Sequence, residues 1–437
     1  MESGNVLTKQ QRIAENARRH PEVSFTSLAH HIDVAWLREA WRRTRKDGAA
    51  GVDNLSAEEY AENLEENLKS LLERAKSGSY KAPPVRRVNI PKNGRETRPI
   101  GIPTFEDKVL QRAVQMVLEP VYEQDFLDCS WGFRPGRSAH GGLQVLWEQM
   151  MGMGGGWVID LDIRKLFDNL DHTHLREILK KRVRDGVLVR LIGKWLKAGI
   201  MENGQLSYPE RGSPQGGVIS PILSNVYLHE VLDRWFEEVV REHLYGRGFM
   251  VRYADDVVLA FTDERDARRV MKALPRRFGK YGLTVHPQKT QVVSFRPPVQ
   301  SSTDRRKPRG RTFNFLGFTH YWGRSRKGRW VVKRKTECSR FTRALTRVGE
   351  WCRKNRHLPL DEQQSALRSK LLGHYAYYGI TGNGHSLENF LHEVRRTWKK
   401  WLSRRGSRLR WERFGQIADR YPLPPVRIVH SVYVAKL

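Results

Sequence analysis

Asp255 and Asp256 stand side by side between two β-branched runs, residues 249–252 and 257–261, in the order Tyr253-Ala254-Asp255-Asp256. Two apolar runs flanking four residues read as a hairpin. A tight turn is one of the few places where neighbouring side chains can both approach one cation cluster. Surface turns are rich in Asp for ordinary reasons, but carboxylates pressed between apolar runs are costly unless something compensates them. A third carboxylate lies far upstream, where Asp162 closes the run Val158-Ile159-Asp160-Leu161-Asp162. A strand's period of two puts Asp160 on the same face as Asp162, so parity leaves both in contention. Three carboxylates of this kind suit nucleotidyl transfer, in which two Mg²⁺ ions about 3.5 to 4 Å apart stabilise attacking and leaving oxygens without the carboxylates reacting.

Other elements must carry these residues. Residues 32–76 show apolar positions at helical spacing, split by the turn Gly48-Ala49-Ala50-Gly51-Val52-Asp53. A short strand is expected at 85–90, a long helix at 107–122, and a buried strand at 157–163. A helix follows at 173–184, capped by Asp171 or Thr173. Helices at 219–240 and 264–280 bracket the acidic hairpin, and 283–293 reads as extended. Gly152-Met153-Gly154-Gly155-Gly156 precedes a strand, whereas a phosphate cradle should open a helix, so it reads as a turn. Residues 296–311 form a basic loop and not a domain. From Ser339 onward the chain is helical and dense in Arg and Trp. Strands interleaved with helices, then a helical module, give α+β followed by all-α.

The chain has 437 residues, with 78 Lys and Arg against 48 Asp and Glu, a formal charge of +30. That excess suits a polyanion, nucleic acid above all. Cys129, Cys338 and Cys352 are scattered, which excludes a disulfide framework and a cysteine-rich zinc site. No apolar stretch is long enough for a membrane helix, and the N-terminus lacks a secretory core. A soluble, cytoplasmic protein with no membrane partner is expected.

The hairpin Tyr253-Ala254-Asp255-Asp256 resembles the signature turn of reverse transcriptases, and the flanking blocks resemble those of bacterial group II intron-encoded reverse transcriptase/maturases. These blocks are Arg98-Pro99-Ile100-Gly101-Ile102-Pro103, Gly132-Phe133-Arg134-Pro135-Gly136-Arg137-Ser138, Asp160-Leu161-Asp162 with Phe167-Asp168, Gly212-Ser213-Pro214-Gln215-Gly216-Gly217, Gly282-Leu283-Thr284 with Lys289-Thr290, and Phe315-Leu316-Gly317-Phe318. The resemblance implies a right-hand polymerase, with fingers and palm of antiparallel sheet plus helices and an α-helical thumb. It divides the chain into an N-terminal extension (1–60), fingers and palm (61–325), and a thumb or maturase module (326–437) with room for a short DNA-binding tail. The helix carrying Tyr375-Ala376-Tyr377-Tyr378 resembles that thumb.

Residue by residue, the resemblance implies that Asp162, Asp255 and Asp256 are catalytic metal ligands, for two Mg²⁺ with Mn²⁺ as a substitute. Lys92 and Arg98 match residues that hold the incoming deoxynucleoside triphosphate, and Phe167 matches the steric gate against a 2′-hydroxyl. Gln215 matches a residue near the nucleotide. Phe315, Leu316 and Gly317 match a hairpin gripping the primer end, and Arg134 and Arg137 are candidates for template phosphates. Partners implied are an RNA template, group II intron RNA in particular, and a DNA primer or target. No Cys-pair and His-Asn-His pattern follows the helical module, so second-strand cleavage is not expected.

In the C-terminal module Arg395, Arg396, Lys399, Lys400 and Arg404 alternate with Trp398 and Trp401, with Trp411 beyond. Cations neutralise phosphates and aromatic faces stack on unpaired bases, while the bland alternative is an amphipathic helix with Trp in its core. Three other functional readings stay open: an RNA-binding splicing cofactor without polymerase activity, a primer-dependent RNA polymerase, which should prefer a 2′-hydroxyl partner to Phe167 at the gate, and a reverse transcriptase recruited to defence or another host role.

Overall fold

Residues 257–261 are apolar on both strand faces, and such a strand needs a covering layer on each side. The computed structural model, which describes residues 2–93, 96–202, 204–208, 212, 216–298, 312–406 and 409–432, supplies both layers. In chain order its strands are β1 (Val85–Asn93), β2 (Glu96–Ile102), β3 (Gly156–Asp162), β4 (Ile200–Glu202), β5 (Gln205–Ser207), β6 (Gly248–Tyr253), β7 (Asp256–Phe261), β8 (Gln291–Phe295), β9 (Phe313–Phe315), β10 (Phe318–Arg324) and β11 (Trp330–Thr336). They form three sheets, ordered β6-β7-β3-β8, β2-β1-β4-β5 and β11-β10-β9. The first is antiparallel throughout. The chain is a mixed α and β fold.

Alternation sorts the first sheet into two cores. Ile159, Leu161, Leu259 and Phe261 share one with Leu110, Val114, Leu274 and Phe278, on helices Phe105–Tyr122 and Glu264–Gly279. Val158, Val258 and Ala260 face the other way, onto Leu143, Leu146 and Met150 of helix Ala139–Met153 and onto Phe315 and Trp322 of the third sheet. Asp160, Asp162 and Asp256 have the parity of this second face. The glycine run is the turn expected: Gly154 and Gly155, at φ +69° and +88°, end that helix just before β3.

Helix ends follow their caps. Thr104, Asp171 and Asp263 accept N–H bonds at the starts of helices Phe105–Tyr122, His172–Lys180 and Glu264–Gly279. Three expectations change. Helix Glu2–Arg19, absent from the sequence reading, places Val6, Ile13 and Ala17 on one face in the same core as Trp36, whose indole N–H reaches Ala113 O at 3.0 Å. The first sixty residues are therefore built into the main core. Within 283–293 only Gln291 onward is strand, since Thr284 and His286 instead pair with the chain leaving β3. The expected helix at 219–240 is α-helical only over Ser220–Leu228 and then widens into π-type turns at His229–Asp233 and Trp235–Val240.

Four helices, Cys338–Lys354, Leu360–Tyr378, Gly384–Leu402 and Trp411–Arg420, pack around Leu367, Leu371, Val394 and Trp398. The hairpin of β10 and β11 runs across residue 325, with Arg324 opposite Trp330, so the helical module begins only at Cys338. The expected basic loop at 296–311 falls mostly outside the described residues.

In the widened turn, fully buried Asp233 meets fully buried Arg252 of β6, with Arg252 Nε 2.7 Å from Asp233 Oδ1. Removing one member of such a pair strands the other without a partner, at about 3–5 kcal/mol. Arg252→Met should lower the unfolding free energy in urea by that amount, and adding Asp233→Leu should recover most of it. A double variant no more stable than the single would show that packing, not charge pairing, holds this site.

Candidate active site

The loop joining β6 to β7 is Ala254 and Asp255. Ala254 sits at φ +57°, a region that costs a residue with a Cβ roughly 1–2 kcal/mol, so the surroundings must hold it. Arg252 does part of this from below: Nη1 donates to Ala254 O at 3.2 Å and to Asn225 Oδ1 at 2.9 Å, and Nη2 donates to Ser130 Oγ at 2.8 Å. Asn225 donates in turn to Gly132 O at 2.7 Å. A Cβ on Gly132 would lie 2.4 Å from Ala254 N, so only glycine lets this backbone pass beneath the turn.

Register brings the acids together. Asp162 of β3 is the direct partner of Asp256 of β7, and Asp160 lies two pairs deeper, opposite Val258. Directly opposed residues have Cβ atoms about 4.5–5.5 Å apart. Burial pushes the Asp256 carboxyl up to about 7, opposed by the Leu316 N–H at 3.0 Å and reinforced by Asp160 and Asp255, while Arg340 pulls it down. Burial likewise raises Asp160 to about 6, with Asp162 adding to the push and the Asn314 N–H opposing it. Asp162 is more open, and Lys289 Nζ lies 3.5 Å from its Oδ2. Asp160 is enclosed beneath β9, and Asp162 stands at the strand end beside the turn, both on the sheet face that carries Asp256.

Asp255 and Asp256 line a cleft of about 630 Å³ that also touches Arg98 of β2, Phe167, Gly216 and Gly217, Leu316 and Gly317, and Arg340, Tyr377 and Tyr378 of the helical module. Asp162 is not part of its lining. Among the described residues, no three Asp, Glu, His or Cys side chains close to metal-ligating distance of one point.

The remaining expected residues divide. Arg98 is exposed at the cleft, and Phe167 is half-exposed there. Lys92 lies in β1 at the irregularity between Pro91 and Asn93, and Gln215 is outside the described residues. Leu316 (φ +51°) and Gly317 (φ +76°) form the hairpin tip between β9 and β10, but Phe315 is buried in the core. Arg134 is a correction. It is buried, donating to Glu123 and to the carbonyls of Leu127 and Ser130, so it braces a loop and is closed to template. Arg137 is held by Asp128 at 2.6 Å and lies over Trp131.

Arg395, Arg396 and Lys400 of helix Gly384–Leu402, and Arg404 in the turn after it, are exposed. Trp398 is buried and donates to Gln363, so it cannot stack on bases. Arg404 covers Trp401, and Lys399 covers the exposed Trp411. Sequence reasoning missed the Arg252–Asp233 anchor, the Leu316 N–H and Arg340. Only Gly132, inside a recognised block, left a signal.

An antiparallel sheet with an Asp-Asp hairpin tip at the mouth of a cleft is the arrangement of template-directed polymerases. Residues 90–320, more than half of the chain, match the family described as reverse transcriptase (RNA-dependent DNA polymerase), and the chain belongs to that family. It is 37% identical over 225 residues to group II intron-encoded protein LtrA of Lactococcus lactis subsp. cremoris, covering 51% of this chain and 37% of that protein. It is 36% identical over 282 residues to protein YkfC of Escherichia coli (strain K12), covering 57% of this chain and 74% of that protein. Nuclear intron maturase 2, mitochondrial, of Arabidopsis thaliana is 29% identical over 178 residues, 32% of this chain and 24% of the maturase. The chain thus spans little more than a third of LtrA.

Gly132→Ala should displace the acidic turn. A shift of about 1 Å at a reacting centre costs on the order of 100-fold in rate, so nucleotide incorporation should fall at least that far. Gly152→Ala, where a Cβ meets nothing within 4 Å, is the control. Equal activity of the two variants would detach the turn from the chemistry.

Proposed function

We propose that this chain is an RNA-directed DNA polymerase that extends a DNA primer with deoxynucleoside triphosphates on an RNA template, and that it serves a group II intron as its maturase. The observation that carries the reading is the pairing of Asp162 with Asp256 across adjacent strands, beside Asp255, at a cleft with Arg98 in its lining. In this reading the sheet β6-β7-β3-β8 is the palm, the sheet β2-β1-β4-β5 the fingers, and the four C-terminal helices the thumb.

The donor set fits hard divalent cations. All three groups are carboxylates, and the protein's own cations, Lys289 beside Asp162 and Arg340 near Asp256, already gather around them. Asp162, Asp255 and Asp256 would hold two Mg²⁺, which supply charge stabilisation at the attacking and leaving oxygens. The chain itself does the positioning. Arg98 offers a planar fork of donors to triphosphate oxygens. Gly216 and Gly217 have no side chain to keep a base pair away. Phe167 presents a bulky ring where a 2′-hydroxyl would otherwise fit. Leu316, its N–H on Asp256, fixes the carboxylate and the hairpin that would grip the primer end as one unit. The maturase role is supported by the likeness to LtrA and to the Arabidopsis intron maturase, and by the exposed cations of helix Gly384–Leu402.

Asp255→Ala should abolish deoxynucleotide incorporation on a primed RNA template while leaving RNA affinity within a few-fold. Full incorporation by that variant would reject the metal-site assignment. Phe167→Ala should raise the ratio of ribonucleotide to deoxynucleotide use by roughly 10-fold or more, since a lost steric exclusion of this kind is worth at least about 1.4 kcal/mol. An unchanged ratio would reduce Phe167 to packing.

A further inference from the structure

A second concavity lies apart from the cleft. A groove of about 890 Å³ opens between the segment at Tyr80–Pro84, helix His172–Lys180 and helix Gly186–Leu196, and it shares no lining residue with the cleft. Among the described residues its rim carries seven cations and no acid. Of these, Lys180 alone has a described carboxylate within ion-pair distance, Glu177 at 2.9 Å. Lys194 and Arg190 donate to the carbonyls of Gly78 and Lys76, which orients them without neutralising them. Lys81, Arg176 and Lys197 are exposed, with Glu177 near enough to feel the Arg176 charge.

The floor has the opposite character. Val189, Ala198, Gly186 and Gly193 line it, and a Cβ on either glycine would meet nothing within 4 Å. Tyr208, 69% exposed, stands at the mouth. Unneutralised like charges crowded around a concavity repel one another, and an anion laid along them relieves that repulsion. Cations spaced along a groove with an aromatic at its edge match a phosphodiester strand with an unstacked base. A compact anion would use only part of the rim.

We propose that this groove is a second nucleic-acid site, separate from the catalytic cleft, that holds a single-stranded RNA segment by its phosphates. Lys81, Arg176 and Lys197 supply charge that RNA neutralises, and the glycine floor lets the strand lie close against helix Gly186–Leu196.

The test is binding of a labelled 20-residue oligo(U) to the full chain, presaturated with a chain-terminated primer–template so that the cleft is filled. The triple variant Lys81→Glu, Arg176→Glu, Lys197→Glu should flatten the slope of log affinity against log salt by about 2, since each phosphate contact to a single strand contributes roughly 0.7. Gly193→Phe fills the floor without altering charge and should weaken oligo(U) at least 10-fold. Both variants should extend a short primer–template at wild-type rate, which also reports that they fold. Tripolyphosphate at equal phosphate concentration should displace oligo(U) poorly. An unchanged salt slope, unaltered binding by Gly193→Phe, or full displacement by tripolyphosphate would each overturn the strand site. Because the readout is binding, its failure leaves the polymerase reading untouched.

Discussion

Like charges must be held together at the end of a sheet, and most of the architecture near the cleft answers that requirement. Asp162 and Asp256 oppose each other across one strand pair, with Asp160 beneath and Asp255 alongside. Left alone in a poorly solvated place, such groups repel or take up protons, as the raised Asp256 and Asp160 carboxyls register. The fold offsets part of this cost with backbone N–H groups from the third sheet, at Leu316 and Asn314, and with Lys289 at the open edge. That offset is partial, since both carboxyls stay raised.

The strain of the turn points the same way. Ala254 is held at positive φ by a buried network of charge-assisted hydrogen bonds from Arg252, and Gly132 removes the Cβ that would collide with it. A buried ion pair is weak evidence for net stability. Here its value is geometric. Arg252 joins β6, the widened turn carrying Asp233, Asn225 and the loop of Ser130, so four segments distant in sequence fix one backbone carbonyl. Single residues held in sparse backbone regions collect at functional sites because the surroundings over-determine them.

What could be read from sequence was local. The period-two runs gave β3, β6 and β7 within a residue or two, and cap chemistry placed Asp171 at its helix start. The acidic turn and Asp162 were legible because short motifs carry them. What failed was non-local. Parity could not choose between Asp160 and Asp162, because that choice depends on how far β9 extends over β3. Arg134 looked like a surface cation, and nothing near it in sequence announced that Glu123 and three loop carbonyls would enclose it. Trp398 has the same composition context as Trp411 yet lies in the helical core, since only the position around the helix decides which face it takes. The first helix was invisible because Val6, Ile13 and Ala17 alone among its described residues make its buried face, too sparse in a polar segment to mark a stripe.

The helical module is wired to the acidic turn more directly than a separate domain would be. Tyr377 donates its hydroxyl to Leu316 O at 2.9 Å, while Leu316 N–H holds Asp256. One residue of the hairpin is thus clasped on both sides, by the helical module on its carbonyl and by β7 on its amide. On the other side of Tyr377, its carbonyl meets His140 of helix Ala139–Met153 at 2.8 Å, and His140 stacks on His430 of the C-terminal segment with ring centroids 3.5 Å apart. Any movement of helix Leu360–Tyr378 relative to the sheet must stretch this chain of contacts before it can widen the cleft. The position of the helical module against the hairpin and the position of the Asp256 carboxylate are therefore coupled mechanically through Leu316.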